Sequence, residues 1–170
     1  EAKIIILDNK STDSSRDIAQ NLGCEVIEWE SERWEGIDDL KYMEIKNNCW
    51  KDVEEGWIIV VDMDEWLSVT SEDLQKEKKM GTSILNIEGY EMVGESNSVL
   101  LDDIILEDLC MGFKFKDESK KLCFLRDKID EINYNPGAHH CNPKGDIKYS
   151  TNLYYNRHMS CLGEKYFICS

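Results

Sequence analysis

Gly56 to Leu67 reads GWIIVVDMDEWL, and the reading of this stretch decides the fold. Four consecutive apolar residues, Ile58 to Val61, predict a strand buried on both faces, which suits the interior of a parallel sheet better than a half-exposed edge. The run stops at Asp62, Met63, Asp64 and Glu65. Three carboxylates at the end of a buried strand repel one another and cost desolvation energy, so the pattern calls for a cation among them. In open α/β sheets the carboxyl ends of the strands are where ligands bind. The stretch therefore predicts a divalent metal holding a phosphate-bearing ligand, against the plainer alternative of a solvated acidic corner. An EF-hand shares the spacing of Asp62 and Asp64. It fails because Trp66 and Leu67 stand where that loop needs further oxygen ligands and its turn glycine, and because a strand precedes the loop.

Upstream, AKIIIL at Ala2 to Leu7 is a second apolar run ending in polar residues, Asp8 to Asp13. A helix is expected to begin near Ser11 to Ser14, with Ile18, Ala19 and Leu22 as its inner stripe and Gly23 as its stop. Cys24 to Trp29 then returns as a strand, which completes a βαβ unit with a carboxylate at the strand's carboxyl end. Ile37 to Val53 reads as the next helix: Leu40, Met43, Trp50 and Val53 face the sheet, while Lys41, Glu44, Lys46 and Lys51 stay wet or reach a ligand.

Downstream, Ser71 caps a short helix that ends at Gly81, and Thr82 to Glu88 reads as a strand. Gly89 to Gly94 reads as a glycine-bracketed turn rather than a phosphate loop. Short runs at Ile104 to Leu106, Leu122 to Leu125, Ile129 to Tyr134 and Leu153 to His158 suggest hairpins or mixed strands. Between them the loop PGAHHCNPKG, Pro136 to Gly145, holds both prolines and two of the three histidines. His139 and His140 read either as exposed polar residues or as a neutral imidazole joining a metal already held by carboxylates.

At 170 residues the chain suits one domain with a proper core. Thirty-five acidic against twenty basic residues give a net charge of -15, which opposes nucleic acid and anionic membrane surfaces. No apolar run is long enough for a membrane span, and the first residues do not read as a signal peptide. Seven cysteines form no CxxC pair, and several lie in apolar stretches such as LCFL around Cys123. That usage fits buried free thiols in a reducing, cytoplasmic compartment better than a disulfide framework. A zinc site built on His139, His140 and Cys141 is the weaker option.

Taken together, LDNKSTD at Leu7 to Asp13, the helix with Lys46 and Asn47, and VVDMDE at Val60 to Glu65 resemble the nucleotide-binding half of family 2-like, GT-A-fold glycosyltransferases. GYEMV (Gly89 to Val93), SKKLCFL (Ser119 to Leu125), EINYNPGAHHCNP (Glu131 to Pro143) and RHMSCLG (Arg157 to Gly163) are similar to a subgroup found in bacteria and large viruses, which implies a host-cytoplasmic site if viral. The resemblance implies an α/β fold with a mainly parallel mixed sheet flanked by helices. Residues 1–67 would form the nucleotide-binding half and 68–170 the acceptor-side half.

The resemblance also implies roles. Asp8 and Asn9 match the turn that contacts the nucleoside of a nucleotide-sugar, and Lys46 matches a basic helix position facing the same pocket. Asp62 and Asp64 match the DxD motif, the second binding Mn²⁺ or Mg²⁺ and the first contacting ribose or the metal through water. His139 stands where such enzymes supply a further metal ligand, and Lys120 would approach the diphosphate. The base for an inverting transfer would be Glu91, with Asp117 or Glu118 next. The implied partners are a UDP- or GDP-linked hexose or deoxyhexose donor and a glycan or small hydroxyl acceptor.

GT-A domains start with a strand and helix before the DNKSTD turn, so the first βα unit is expected to be missing, or the chain to be part of a longer protein. Two rival readings remain: a sugar nucleotidyltransferase, whose glycine-rich basic loop is not visible here, and a non-catalytic metal- or nucleotide-binding module.

Overall fold

The computed structural model describes residues 2–30, 38–93 and 109–161. The chain divides into two compact units, Glu1–Tyr42 and Met43–Ser170.

The first unit contains β1 (Ile5–Asp8), α1 (Ser15–Asn21) and β2 (Glu25–Glu28), with β1 and β2 paired in parallel as the expected βαβ unit. Asp13 accepts from the Ser15 amide at 3.0 Å at the start of α1, and Gly23 ends the turn with φ +83, a conformation that costs glycine nothing. The inner stripe is a correction: Ile18 is 55% exposed and Leu22 78%. Two short strands alone give a helix too little surface to bury a full stripe.

The helix expected over 37–53 is α2 (Asp39–Asn48), which crosses the division. Leu40 is exposed, Trp50 beyond the helix is buried, and Lys46, expected in solvent or on a ligand, is buried too.

The second unit holds β3 (Trp57–Ile59), β4 (Glu65–Ser68), α3 (Ser71–Lys79), β5 (Ile84–Val93), β6 (Gly112–Lys114), β7 (Cys123–Leu125), β8 (Ile129–Glu131), β9 (Lys144–Gly145) and β10 (Tyr149–Cys161). Its main sheet runs β3-β7-β5-β10-β4, with β6 also on β5. β5 and β10 pair in parallel, whereas β3–β7, β5–β7, β5–β6 and β10–β4 are antiparallel. The molecule is therefore α/β with a mixed sheet and helices, and the mainly parallel sheet expected gives way to a mostly antiparallel one among the described residues.

Three further expectations change. The strand leading to DMDE ends the sheet order rather than lying in its interior, with Ile58 buried and Ile59 exposed, because among the described residues β7 is its one partner. The cap of α3 is Thr70, not Ser71: its hydroxyl accepts from the Asp73 amide and Asp73 answers to the Thr70 amide, a complete capping box. Gly89 to Val93 is no turn but the second half of β5. A Cβ at Gly89 would lie 2.2 Å from the backbone of Glu118, so the glycine admits a crossing turn, Lys116 to Glu118, against the strand.

Two apolar clusters lie on opposite sides of β5. Ile84 packs with Trp50, Phe124 and Ile132, and Leu85 and Ile87 pack with Leu122, Cys123 and Tyr154. Each fully buried large side chain among them contributes about 1.5–3 kcal/mol. The five described cysteines outside β10, at 24, 49, 110, 123 and 141, are free thiols, and burial pushes Cys123 up, which keeps it an inert thiol. No helix among the described residues is long and apolar enough to cross a membrane. The run at Ile104 to Leu106 lies outside the described residues.

Candidate functional site

The second unit gathers one cluster of charged side chains where β4, β10 and β5 lie side by side. β4 begins at Glu65 because the DMDE corner closes as a tight turn: the Glu65 amide donates to the Asp62 carbonyl at 3.1 Å, and Glu65 Oε2 accepts from the Asp62 amide at 2.7 Å. The turn brings Asp62 and Asp64 beside β10, where the Met159 amide donates to the Asp64 carbonyl at 2.8 Å. Sheet register then aligns three strands at one level, since His158 of β10 sits opposite Glu91 of β5 on one side and Glu65 of β4 on the other. The turn at Lys116–Glu118, admitted by Gly89, delivers Glu118 and Lys120 into the same cluster.

Charge is arranged in a chain. Lys46 Nζ lies 2.7 Å from Asp62 Oδ1, and Lys120 Nζ lies 3.7 Å from Asp62 Oδ2. Lys120 also meets Glu65 Oε1 at 2.8 Å and Glu118 Oε2 at 3.0 Å. Burial alone would lower the Lys120 ammonium, but Glu65 and Glu118 hold it well above the usual lysine range, so it is a permanent cation. Burial pushes Glu118 up, and Lys120 only partly offsets it.

His158 continues the chain. Its Nδ1 lies 2.7 Å from Glu91 Oε2 and its Nε2 3.3 Å from Asp64 Oδ2. Burial works against the imidazolium, yet Glu91, Glu118 and Asp64 together raise it above its ordinary value. The cluster thus sets five carboxylates, Asp62, Asp64, Glu65, Glu91 and Glu118, against Lys46, Lys120 and His158. Asn156, fully buried, donates to Glu65 Oε1 at 3.2 Å, and its own Oδ1 has no donor among the described residues.

The predicted residues are distributed unevenly. Asp62, Asp64, Lys46, Lys120, Glu91 and Glu118 meet in this cluster. Lys120 is committed to buried carboxylates, and Glu91 is buried with its oxygens engaged by His158 and by Ser160 Oγ at 2.7 Å. Asp117 is exposed on the turn beside Glu118. His139 is exposed, and its Nδ1 lies 3.1 Å from the Asp117 carbonyl, which ties the Pro136 to Gly145 loop to that turn. Asp8 and Asn9 belong to the first unit. There Asp8 is buried, accepts from the Ser11 amide at 3.2 Å and lies 3.5 Å from Arg16 Nε, while Asn9 is exposed.

His158 and Asn156 are not singled out by the sequence analysis. A signal for both is present: Tyr154, Asn156 and His158 alternate along β10, so an apolar side chain is followed on its own face by two polar ones.

For a divalent cation, the open donor is Asp64. Its side chain is 48% exposed, and Oδ1 has no bonded partner among the described residues. Among those residues no three histidine, cysteine or carboxylate side chains are arranged to hold a metal by themselves. Beside Asp64 lies a cleft of about 350 Å³, lined by Ile59, Val61, Met63, Trp66 and Met159 among others. No protein-family model matches this chain, and none of the curated proteins does.

Proposed function

We propose that the chain carries the donor site of a metal-dependent glycosyltransferase of the GT-A type, moving a sugar from a nucleoside diphosphate to a hydroxyl acceptor with inversion. The observation that carries this reading is the unequal pair on one turn: Asp62 is held between two lysine ammoniums, and Asp64 is left with an open oxygen. An acidic corner that was merely solvated would not need two buried lysines.

In this reading Asp64 holds Mn²⁺ or Mg²⁺ together with the donor's diphosphate oxygens. When bound, the cation neutralises the charge that grows on the departing nucleoside diphosphate. Lys46 and Lys120 fix Asp62 and limit the repulsion that the donor's phosphates meet at this corner. Of the three carboxylates expected as base, Glu91 is occupied by His158 and Ser160 and Glu118 is buried against Lys120, whereas Asp117 is exposed. The reading therefore gives the acceptor proton to Asp117.

Calorimetric titration of UDP and GDP in the presence of Mn²⁺, repeated with EDTA, tests the proposal. Metal-dependent binding that disappears in D64A supports it; binding unchanged by EDTA or by D64A refutes it. D117N is expected to slow turnover on a donor-hydrolysis assay while nucleotide affinity stays as in the wild type.

A further inference from the structure

The reaction as proposed makes no use of Glu91 or His158, yet they are the most closely specified pair next to Asp64. They are in-register neighbours on β5 and β10, so the sheet itself sets their meeting. Glu91 is locked at both ends, with Oε1 accepting from Ser160 Oγ and Oε2 lying 2.7 Å from His158 Nδ1. That fixes the ring, and its remaining polar atom, Nε2, lies 3.3 Å from Asp64 Oδ2. Glu118 Oε1 is the other charged group near the ring, at 4.0 Å from Nδ1. Asp64 is thereby held twice by consecutive residues of β10, through its carbonyl by the Met159 amide and through its carboxylate by His158.

We propose that His158, oriented by Glu91, is a positioning residue that holds the Asp64 carboxylate by one oxygen and leaves the other for a divalent cation. The inference rests on the reading of Asp64 as the cation ligand. A carboxylate that turns freely must be ordered when it binds a metal, whereas one already ion-paired on Oδ2 is restricted beforehand. Hydrogen-bond partners of metal ligands act in this way, and their loss weakens binding about 10- to 100-fold.

The test is Mn²⁺ alone, titrated into the full chain and followed by the electron paramagnetic resonance signal of the free ion. Wild type is compared with D64A, H158Q, H158N and E91Q, each first shown to unfold cooperatively. A glutamine amide reaches the position of Nε2 and keeps an N–H beside Asp64, while an asparagine amide reaches only the position of Nδ1. The expected result is lost binding in D64A, at least about 10-fold weaker binding in H158N, a smaller loss in E91Q and near-wild-type binding in H158Q. Lost binding in D64A with unchanged affinity in H158N and E91Q overturns the positioning role and leaves Asp64 as the ligand. Equal weakening in H158N and H158Q also overturns it, because only a structural loss treats the two amides alike. Wild type that fails to bind Mn²⁺, or D64A that still binds it, overturns the reading of Asp64 and this inference with it. If H158N does not fold, E91Q against H158Q decides by the same criterion.

Discussion

At Tyr154 one face of β10 meets the buried carboxylate of Glu77, and two side chains further along that face, at His158, it meets Glu91 and Asp64. Both places bury acids, but they satisfy them with different chemistry. Glu77 accepts from Thr82 Oγ1 at 2.5 Å, Asn152 Nδ2 at 2.6 Å and Tyr154 OH at 2.9 Å, all neutral donors. Burial and the Glu77 carboxylate push the Tyr154 phenol up to about 12, so it stays a donor at neutral pH. The other cluster is held by lysines and an imidazole, and it ends on Asp62 and Asp64, which reach solvent. A carboxylate closed off by neutral donors is a lock between α3, the turn that follows it and β10. A string of charges with an open end is a place where a further cation can enter.

The comparison is broken most severely by K120M. Removing the ammonium leaves Glu65 and Glu118 buried without their shared cation, and loss of one partner of a buried pair costs about 3–5 kcal/mol. Denaturant unfolding is expected to show that loss together with weaker Mn²⁺ binding, because Asp62 loses one of its two lysines. E77Q comes next. It keeps the shape but turns an amide nitrogen toward donors that need an acceptor, at about 1–3 kcal/mol. Its Mn²⁺ affinity is expected to equal that of the wild type. Equal damage to metal binding in both variants would erase the distinction between lock and site.

Where the sequence was readable, the signal was local. DMDE after an apolar run gave the acidic corner, and Gly23 and Gly81 gave helix ends that the backbone confirms with positive φ. It failed where a residue's reason lies far along the chain. Gly89 looks like a turn residue because glycine usually marks one, but its purpose is the close passage of Glu118. Lys46 looks like a solvated helix position until Asp62 stands 2.7 Å away. Alternation along β10 puts His158 on the face of Tyr154, but nothing local marks its partners. Its partners, Glu91 and Asp64, come from β5 and from the turn before β4, and only strand register brings them to one level.

The finest test of the comparison is the sign of a pH dependence. Burial pushes Glu77 up, but the hydrogen bonds from Thr82, Asn152 and Tyr154 outweigh it and leave the carboxyl below its ordinary 4.5. The unfolded chain then takes up the proton first, so the stability Glu77 contributes is complete above pH 4.5 and is lost as pH falls through the lowered value. Glu118 lies the other way: burial raises it above 4.5, and Lys120 only partly offsets that. The folded state holds this proton longer, so its contribution is complete below pH 4.5 and declines as pH rises through the raised value. Unfolding free energies measured across this range for E77Q and E118Q are therefore expected to move in opposite directions relative to wild type. The deficit of E77Q shrinks below pH 4.5, whereas E118Q gains on the wild type above it. Parallel curves would mean that the two buried acids are held alike, and the contrast between a neutral lock and a charged site would not survive.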